Sequence, residues 1–217
     1  MGLNKSEFPP KGKSQTWRAV FLALGLVAGL GAAETKTVVF FGDSLTAGLG
    51  LESPDEAFPA LIQQRLKATG QSWRVVNAGL SGETTAGGLR RLDWILKQPV
   101  DIFVLELGGN DGLRGISPES SRANLQAMIT RIRERQPNVK LVLAGMQMPA
   151  NMGPDYTRQF AAMYPDLARE NHLTLIPFLL EGIGGVASLN QADGIHPTAA
   201  GHKIVADTVW RALQPLL

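Results

Sequence analysis

The feature that most restricts the fold of this 217-residue chain is one repeated pattern: a short apolar run, a glycine-bearing loop, then an amphipathic helix. Val38-Val39-Phe40-Phe41 runs into Gly42-Asp43-Ser44-Leu45, Trp73-Arg74-Val75-Val76-Asn77 into Ala78-Gly79-Leu80-Ser81-Gly82, and Ile102-Phe103-Val104-Leu105-Glu106-Leu107 into Gly108-Gly109-Asn110-Asp111-Gly112. Leu141-Val142-Leu143-Ala144 and Leu173-Thr174-Leu175-Ile176 are two further runs of the same kind. β-Branched and aromatic runs bounded by glycine read as strands covered on both faces. The intervening segments have helical periodicity. Phe58, Leu61, Ile62 and Leu66 form a stripe that starts at Pro59 and ends at Gly70; Leu89, Leu92, Ile95 and Leu96 form another, stopped by Pro99. Ser117-Pro118 caps a helix bearing Leu125, Met128, Ile129 and Ile132; Gly153-Pro154 opens one with Tyr156, Phe160, Tyr164 and Leu167 inward; Pro197 begins the last, with Val205, Val209 and Leu213 inward. Such alternation predicts a flavodoxin-like three-layer α/β/α sandwich, a parallel five-stranded sheet with helices on both faces. At 44% apolar, the chain suits one globular domain with a sizeable core, placed at residues 34–217.

Open parallel sheets hold their ligands at the carboxyl ends of the strands, so Ser44, Gly79 and Asn110 are expected to converge on one edge. Gly42, lacking a Cβ, would let the backbone turn and present the Ser44 hydroxyl outward. A fourth piece, Asp193-Gly194-Ile195-His196-Pro197, precedes the last helix, and a residue before proline is held extended, which keeps His196 on the loop. Across Gly194 the Asp193 carboxylate can curl back to Nδ1 of His196 and leave Nε2 facing Ser44. The roles of a serine triad are then filled.

Each block has a plainer reading. Asp and Ser are common turn and N-cap residues, and Asn110-Asp111 beside glycine also fits a turn. Asp43 and Asp111 read as local hydrogen-bonders. His172 and His202 have no acid at triad spacing and read as surface or packing residues. Asp193 and His196 could ligate a metal, but no third ligand is evident nearby, so neither a metal nor another cofactor is expected. Glu106 interrupts an apolar strand; a buried carboxyl needs partners, which suggests that it braces the surrounding loops. Gly48-Leu49-Gly50 resembles a phosphate loop superficially, yet neither Gly-Lys-Ser/Thr nor Gly-x-Gly-x-x-Gly is present.

The formal charge of +2 misleads unless it is located: of 21 basic and 19 acidic residues, Lys5, Lys11, Lys13 and Arg18 against Glu7 fall within residues 1–33, so the body from Glu34 is near neutral. That removes the electrostatic case for nucleic-acid binding, which needs a clustered basic face. With no cysteine, disulfides and thiolate chemistry are excluded. The front is a basic leader followed by the apolar Ala19–Leu30 and the small residues Gly31-Ala32-Ala33, the layout of a secretory signal peptide over residues 1–33. From Ala19 to Ala33 a helix would span roughly 22 Å, short of a hydrocarbon core of about 30 Å. A periplasmic or secreted protein is expected, a monomer without stable membrane insertion after processing.

Gly42-Asp43-Ser44-Leu45, Gly79, the Gly109-Asn110-Asp111 block and Asp193-x-x-His196 together resemble the SGNH hydrolases, the Gly-Asp-Ser-Leu lipase/esterase family, from about Thr37 to the C-terminus. Leu107-Gly108-Gly109-Asn110-Asp111-Gly112-Leu113-Arg114-Gly115 and Asp193-Gly194-Ile195-His196-Pro197 look most like the small periplasmic thioesterase, lysophospholipase and arylesterase type. The resemblance implies Ser44 as nucleophile, His196 as base, Asp193 as its partner, and an oxyanion hole from the Ser44 and Gly79 N–H groups and the Asn110 side chain. It implies an acyl ester or thioester substrate. A carbohydrate acetylesterase and a non-catalytic periplasmic ligand-binding protein stand as alternatives. The loop after the fourth strand carries Met146, Met148 and Met152, adaptable apolar side chains suited to a substrate wall or to packing the loop itself. Gly182-Ile183-Gly184-Gly185 matches no motif.

Overall fold

The computed structural model describes residues 1–2 and 35–217 of the chain. The signal-peptide expectation for residues 1–33 lies outside the described residues. Five parallel strands, β1 (Lys36–Gly42), β2 (Trp73–Gly79), β3 (Ile102–Glu106), β4 (Lys140–Ala144) and β5 (Thr174–Ile176), form one sheet in the order β2-β1-β3-β4-β5. This is the doubly wound arrangement expected from the alternating pattern, with its topological switch between β1 and β3. Helix α1 (Ser44–Ala47) is a single turn directly after β1. The others are α2 (Phe58–Ala68), α3 (Thr85–Ile95), α4 (Gly109–Leu113), α5 (Pro118–Arg135), α6 (Pro154–Glu170) and α7 (Ala199–Leu213). α2 and α7 pack together on one face of the sheet; α3, α5 and α6 pack on the other.

β1 explains why the sheet needs both layers. From Thr37 to Gly42 every residue is buried, and successive side chains point to opposite faces. Phe40 meets Phe58 of α2 edge-on at 5.4 Å, whereas Phe41 lies under the Arg91 guanidinium of α3, 4.0 Å from the ring centroid. The helical stripes read from the sequence are the buried ones: Ile62 and Leu66, Leu125 through Ile132, Phe160 through Leu167, and Val205, Val209 and Leu213.

Three boundaries differ from the sequence expectation. The last helix begins at Ala199 with Thr198 as its cap, because Pro197 is drawn into an antiparallel bridge with Asn190. α2 begins at Phe58, one residue before Pro59, and is preceded by a 3-10 turn (Pro54–Glu56) that Ser53 and Glu56 close with a reciprocal capping box. Gly79 is the last residue of β2, paired in register with Gly42, and not part of the loop beyond it.

Candidate active site

The carboxyl ends of β1 and β3 flank the switch point, and Ser44 and Asn110 arrive there by one device. Each strand runs straight into a short helix whose first residues face the sheet edge. Asp43 caps α1 by accepting from the Leu45 N–H (3.0 Å), which puts Ser44 at the first helical position. Gly42 makes this possible by close approach rather than by turning: its φ is ordinary, but a Cβ there would lie 2.2 Å from Thr46 Oγ1 and 2.3 Å from Glu106 Oε2. Into that space Thr46 Oγ1 donates to Glu106 Oε2 (2.7 Å), as does the Asp43 N–H (3.1 Å). Glu106 therefore does brace the α1 turn. Burial, and then the neighbouring Asp43 charge, push its carboxyl well above the usual range.

The third strand's loop is anchored through Asp111. Its carboxylate, buried, accepts from the Thr85 N–H (2.8 Å), Thr85 Oγ1 (2.6 Å) and Ser121 Oγ (3.2 Å), tying α4 to the starts of α3 and α5. Asn110, one residue earlier, is thereby fixed at the cavity edge, where its Nδ2 donates to Asp43 Oδ2 (3.0 Å).

The last piece sits on a hairpin. Gln191 N–H donates to the His196 carbonyl (2.7 Å), Asn190 bridges Pro197, and Gly194 turns the chain at φ 71°, a conformation glycine adopts without penalty. Asp193 Oδ1 accepts from the Ile195 and His196 N–H groups (2.9 and 3.0 Å), and Oδ2 lies 2.6 Å from His196 Nδ1. Those bonds, that to the His196 ring above all, hold the Asp193 carboxyl down at about 2. Asp193 is thus ionised and can only accept, so Nδ1 carries the hydrogen and Nε2 offers its lone pair. Nε2 lies 2.8 Å from Ser44 Oγ. The side chains of Ser44, His196 and Asp193 form one continuous relay, 152 residues of chain apart at its first link. His202, by contrast, is buried elsewhere, and His172 is exposed.

Beside the relay lies a cavity of about 450 Å³, lined on its polar side by Asp43, Ser44, Asn110, Gln147, Asn190 and His196. Its apolar wall includes Leu113, Met146, Met148, Phe178, Leu180 and Ile195. Two sequence expectations fail here. Met152 does not line the cavity; the chain turns into a 3-10 segment (Ala150–Met152) that carries it away. Gly79 is not a free donor either: its N–H is held by Asn77 Oδ1 at 3.0 Å, its α-carbon packs against the backbone of Ala47, and it does not line the cavity. Among the described residues, the Ser44 N–H, one Asn110 Nδ2 hydrogen, and the Ser81 and Gly82 N–H groups of the following turn have no protein acceptor. Phe178, Leu180 and the Gly184-Gly185 segment also line the cavity, and the sequence reading missed them. Their position after the carboxyl end of β5 was the available signal. Among the described residues no group of three or more His, Asp or Glu could hold a metal ion.

This geometry can deprotonate a serine against a carbonyl carbon held in an apolar cleft. Residues 40–204 match the GDSL-like Lipase/Acylhydrolase family. The chain is 45% identical over 197 residues to Esterase TesA of Pseudomonas aeruginosa, covering 90% of this chain and 96% of that one. It is 38% identical over 202 residues to Thioesterase 1/protease 1/lysophospholipase L1 of Escherichia coli, covering 93% and 94%. A crystal structure of TesA superposes with a TM-score of 0.80 at 44% identity, covering 84% of this chain and all of that one. The chain belongs to the GDSL-like lipase/acylhydrolase family and is a serine hydrolase of carboxylic ester and thioester bonds.

Proposed function

We propose that Ser44 is the nucleophile, His196 the general base and acid, and Asp193 the group that fixes the imidazole tautomer. The observation that carries this reading is the relay itself, Asp193 Oδ2 to Nδ1 at 2.6 Å and Nε2 to Ser44 Oγ at 2.8 Å. Ser44 Oγ attacks the acyl carbonyl as Nε2 takes its proton; the imidazolium then protonates the departing alcohol or thiol, leaving an acyl-enzyme. Water, deprotonated by the same Nε2, attacks the acyl carbon and releases Ser44. The developing oxyanion is held by the Ser44 N–H and the Asn110 amide, with the Ser81-Gly82 turn supplying the donor that Gly79 does not.

The wall of Leu113, Met146, Met148, Phe178 and Ile195 supports an acyl chain as the group bound beside Ser44. Thioesterase and lysophospholipase action, as in the name of the Escherichia coli relative, is the finer reading that fits this wall. Residues 34–217 are the catalytic domain, working as a monomer in the periplasm or outside the cell behind a leader at residues 1–33. Among the described residues no helix is long and apolar enough to cross a membrane.

A fluorophosphonate probe followed by peptide mass analysis tests the nucleophile: the label is expected on Ser44 alone. Ser44→Ala and His196→Ala should each lower kcat at least about 10³-fold, with the double variant little worse, because nucleophile and base act as a unit. Labelling of another serine, or full additivity of the two losses, would overturn the assignment.

A further inference from the structure

An asparagine amide is nearly symmetrical in shape, so a side chain meant to donate a hydrogen bond into a cleft needs something to stop it presenting its oxygen instead. Asn110 lies at the cleft edge, and among the described residues its Nδ2 donates one hydrogen bond, to Asp43 Oδ2 at 3.0 Å. Asp43 is 2% exposed. Its other oxygen, Oδ1, accepts from the Leu45 N–H, and its own N–H is pinned by Glu106, so the carboxyl cannot rotate away. A carboxylate accepts and does not donate. Facing it, only the NH2 end of the Asn110 amide is tolerated, and the second hydrogen of that nitrogen is left without a protein partner among the described residues.

We propose that Asp43 is a positioning residue for the reaction: its carboxylate orients the Asn110 amide so that an N–H, not the carbonyl oxygen, meets the oxyanion. This rests on the reading of Asn110 as an oxyanion donor. The competing role for Asp43 is that of a helix cap and nothing more, through its bond to the Leu45 N–H.

Asp43→Asn separates the two roles. Asparagine caps a helix as well as aspartate, so the bond from Leu45 survives. The NH2 group that replaces Oδ2 then faces the Asn110 NH2, and the Asn110 amide turns over and offers its oxygen to the cleft. The expected result is a fall in kcat on the order of 10 to 10²-fold with KM almost unchanged, since the contact that is lost matters in the transition state and not in the ground state. The decisive measurement is a double-mutant cycle on kcat. Asn110→Ala alone should cost on the order of 10²–10³-fold, and Asp43→Asn/Asn110→Ala should be no slower than Asn110→Ala, because Asp43 has nothing left to orient. Asp43→Ser, which caps but is too short to reach Asn110, serves as the second variant should Asp43→Asn fail to fold, with the same non-additivity expected. Wild-type kcat in Asp43→Asn, or losses that multiply in full in the double variant, overturns the proposal. Wild-type kcat in Asn110→Ala would instead sink the oxyanion reading beneath it, a distinct outcome visible in the single variant.

Discussion

Glu106 sits on the strand beside the one that leads into Ser44 and does not itself line the cavity, yet two buried donors depend on it. Thr46 Oγ1 and the Asp43 N–H both give to Oε2, and the absence of a Cβ on Gly42 leaves the room. Glutamine keeps the shape of the side chain and an oxygen acceptor for both donors, so Glu106→Gln should keep wild-type kcat and thermal stability. Glu106→Ala leaves both donors buried without an acceptor, at about 1–3 kcal/mol each, and should lose roughly 2–5 kcal/mol of stability in urea unfolding. Equal stability in the two variants would mean that the carboxyl only fills space. Gly42 illustrates the same lesson at the scale of an atom: the residue is required, but for the proximity of Glu106 rather than for a turn.

Helix α2 begins without a side-chain cap of its own, and the missing acceptor comes from another element. The Phe58 N–H donates to Nδ1 of His202 in α7 (3.2 Å), and the imidazole stacks on the Phe58 ring. A ring nitrogen that accepts must be unprotonated, and burial, then the nearby His196, lower His202 from 6.5 to about 4. The folded state therefore binds this proton less readily than the unfolded chain. Its contribution is full above pH 6.5 and is lost as pH falls toward 4, roughly 3 kcal/mol in all. Asp43 works in the opposite sense: burial raises its carboxyl to about 6 from 3.8, so its ionisation costs stability as pH rises between those values. The wild type alone would mix the two. Comparing wild type with His202→Gln in urea isolates the histidine: the variant's deficit at pH 7 should shrink by about 3 kcal/mol on going to pH 4. A deficit that stays constant across that range would show that His202 packs without titrating.

At the scale of the whole molecule, the charge of the chain divides sharply. Four basic residues and one acid stand in residues 1–33, ahead of a near-neutral body. On the proposal that residues 1–33 are a cleaved export leader, protein made in a secreting host should have the intact mass of a chain starting near Glu34. Recovery of the full-length chain from a membrane fraction would replace cleavage with anchoring. Removing residues 1–33 should leave kcat unchanged, because every member of the relay and of the cavity wall lies between Asp43 and His196.

The parallel strands, their alternation with helices and the sheet edge that carries the candidate site were legible in the sequence, because they follow from local chemistry repeated along the chain. β-Branched runs ending in glycine define parallel strands, loops at their carboxyl ends must share an edge, and Asp193 and His196 are near enough in sequence to meet across Gly194 without help from the rest of the fold. What the sequence could not decide were contacts between elements distant along the chain. Gly79 and Gly82 are alike as letters in one short segment; only the pairing of β2 with β1 places Gly79 inside the strand, with its N–H spent on Asn77. Met146, Met148 and Met152 stand in one loop of the sequence, and only its 3-10 turn takes Met152 out of the cleft. The roles of Asp43 and His202 each depend on a partner 67 or 144 residues away. A hydrogen bond is decided by a few tenths of an ångström and a direction, and sequence spacing carries that information only where the chain between the partners is too short to go anywhere else.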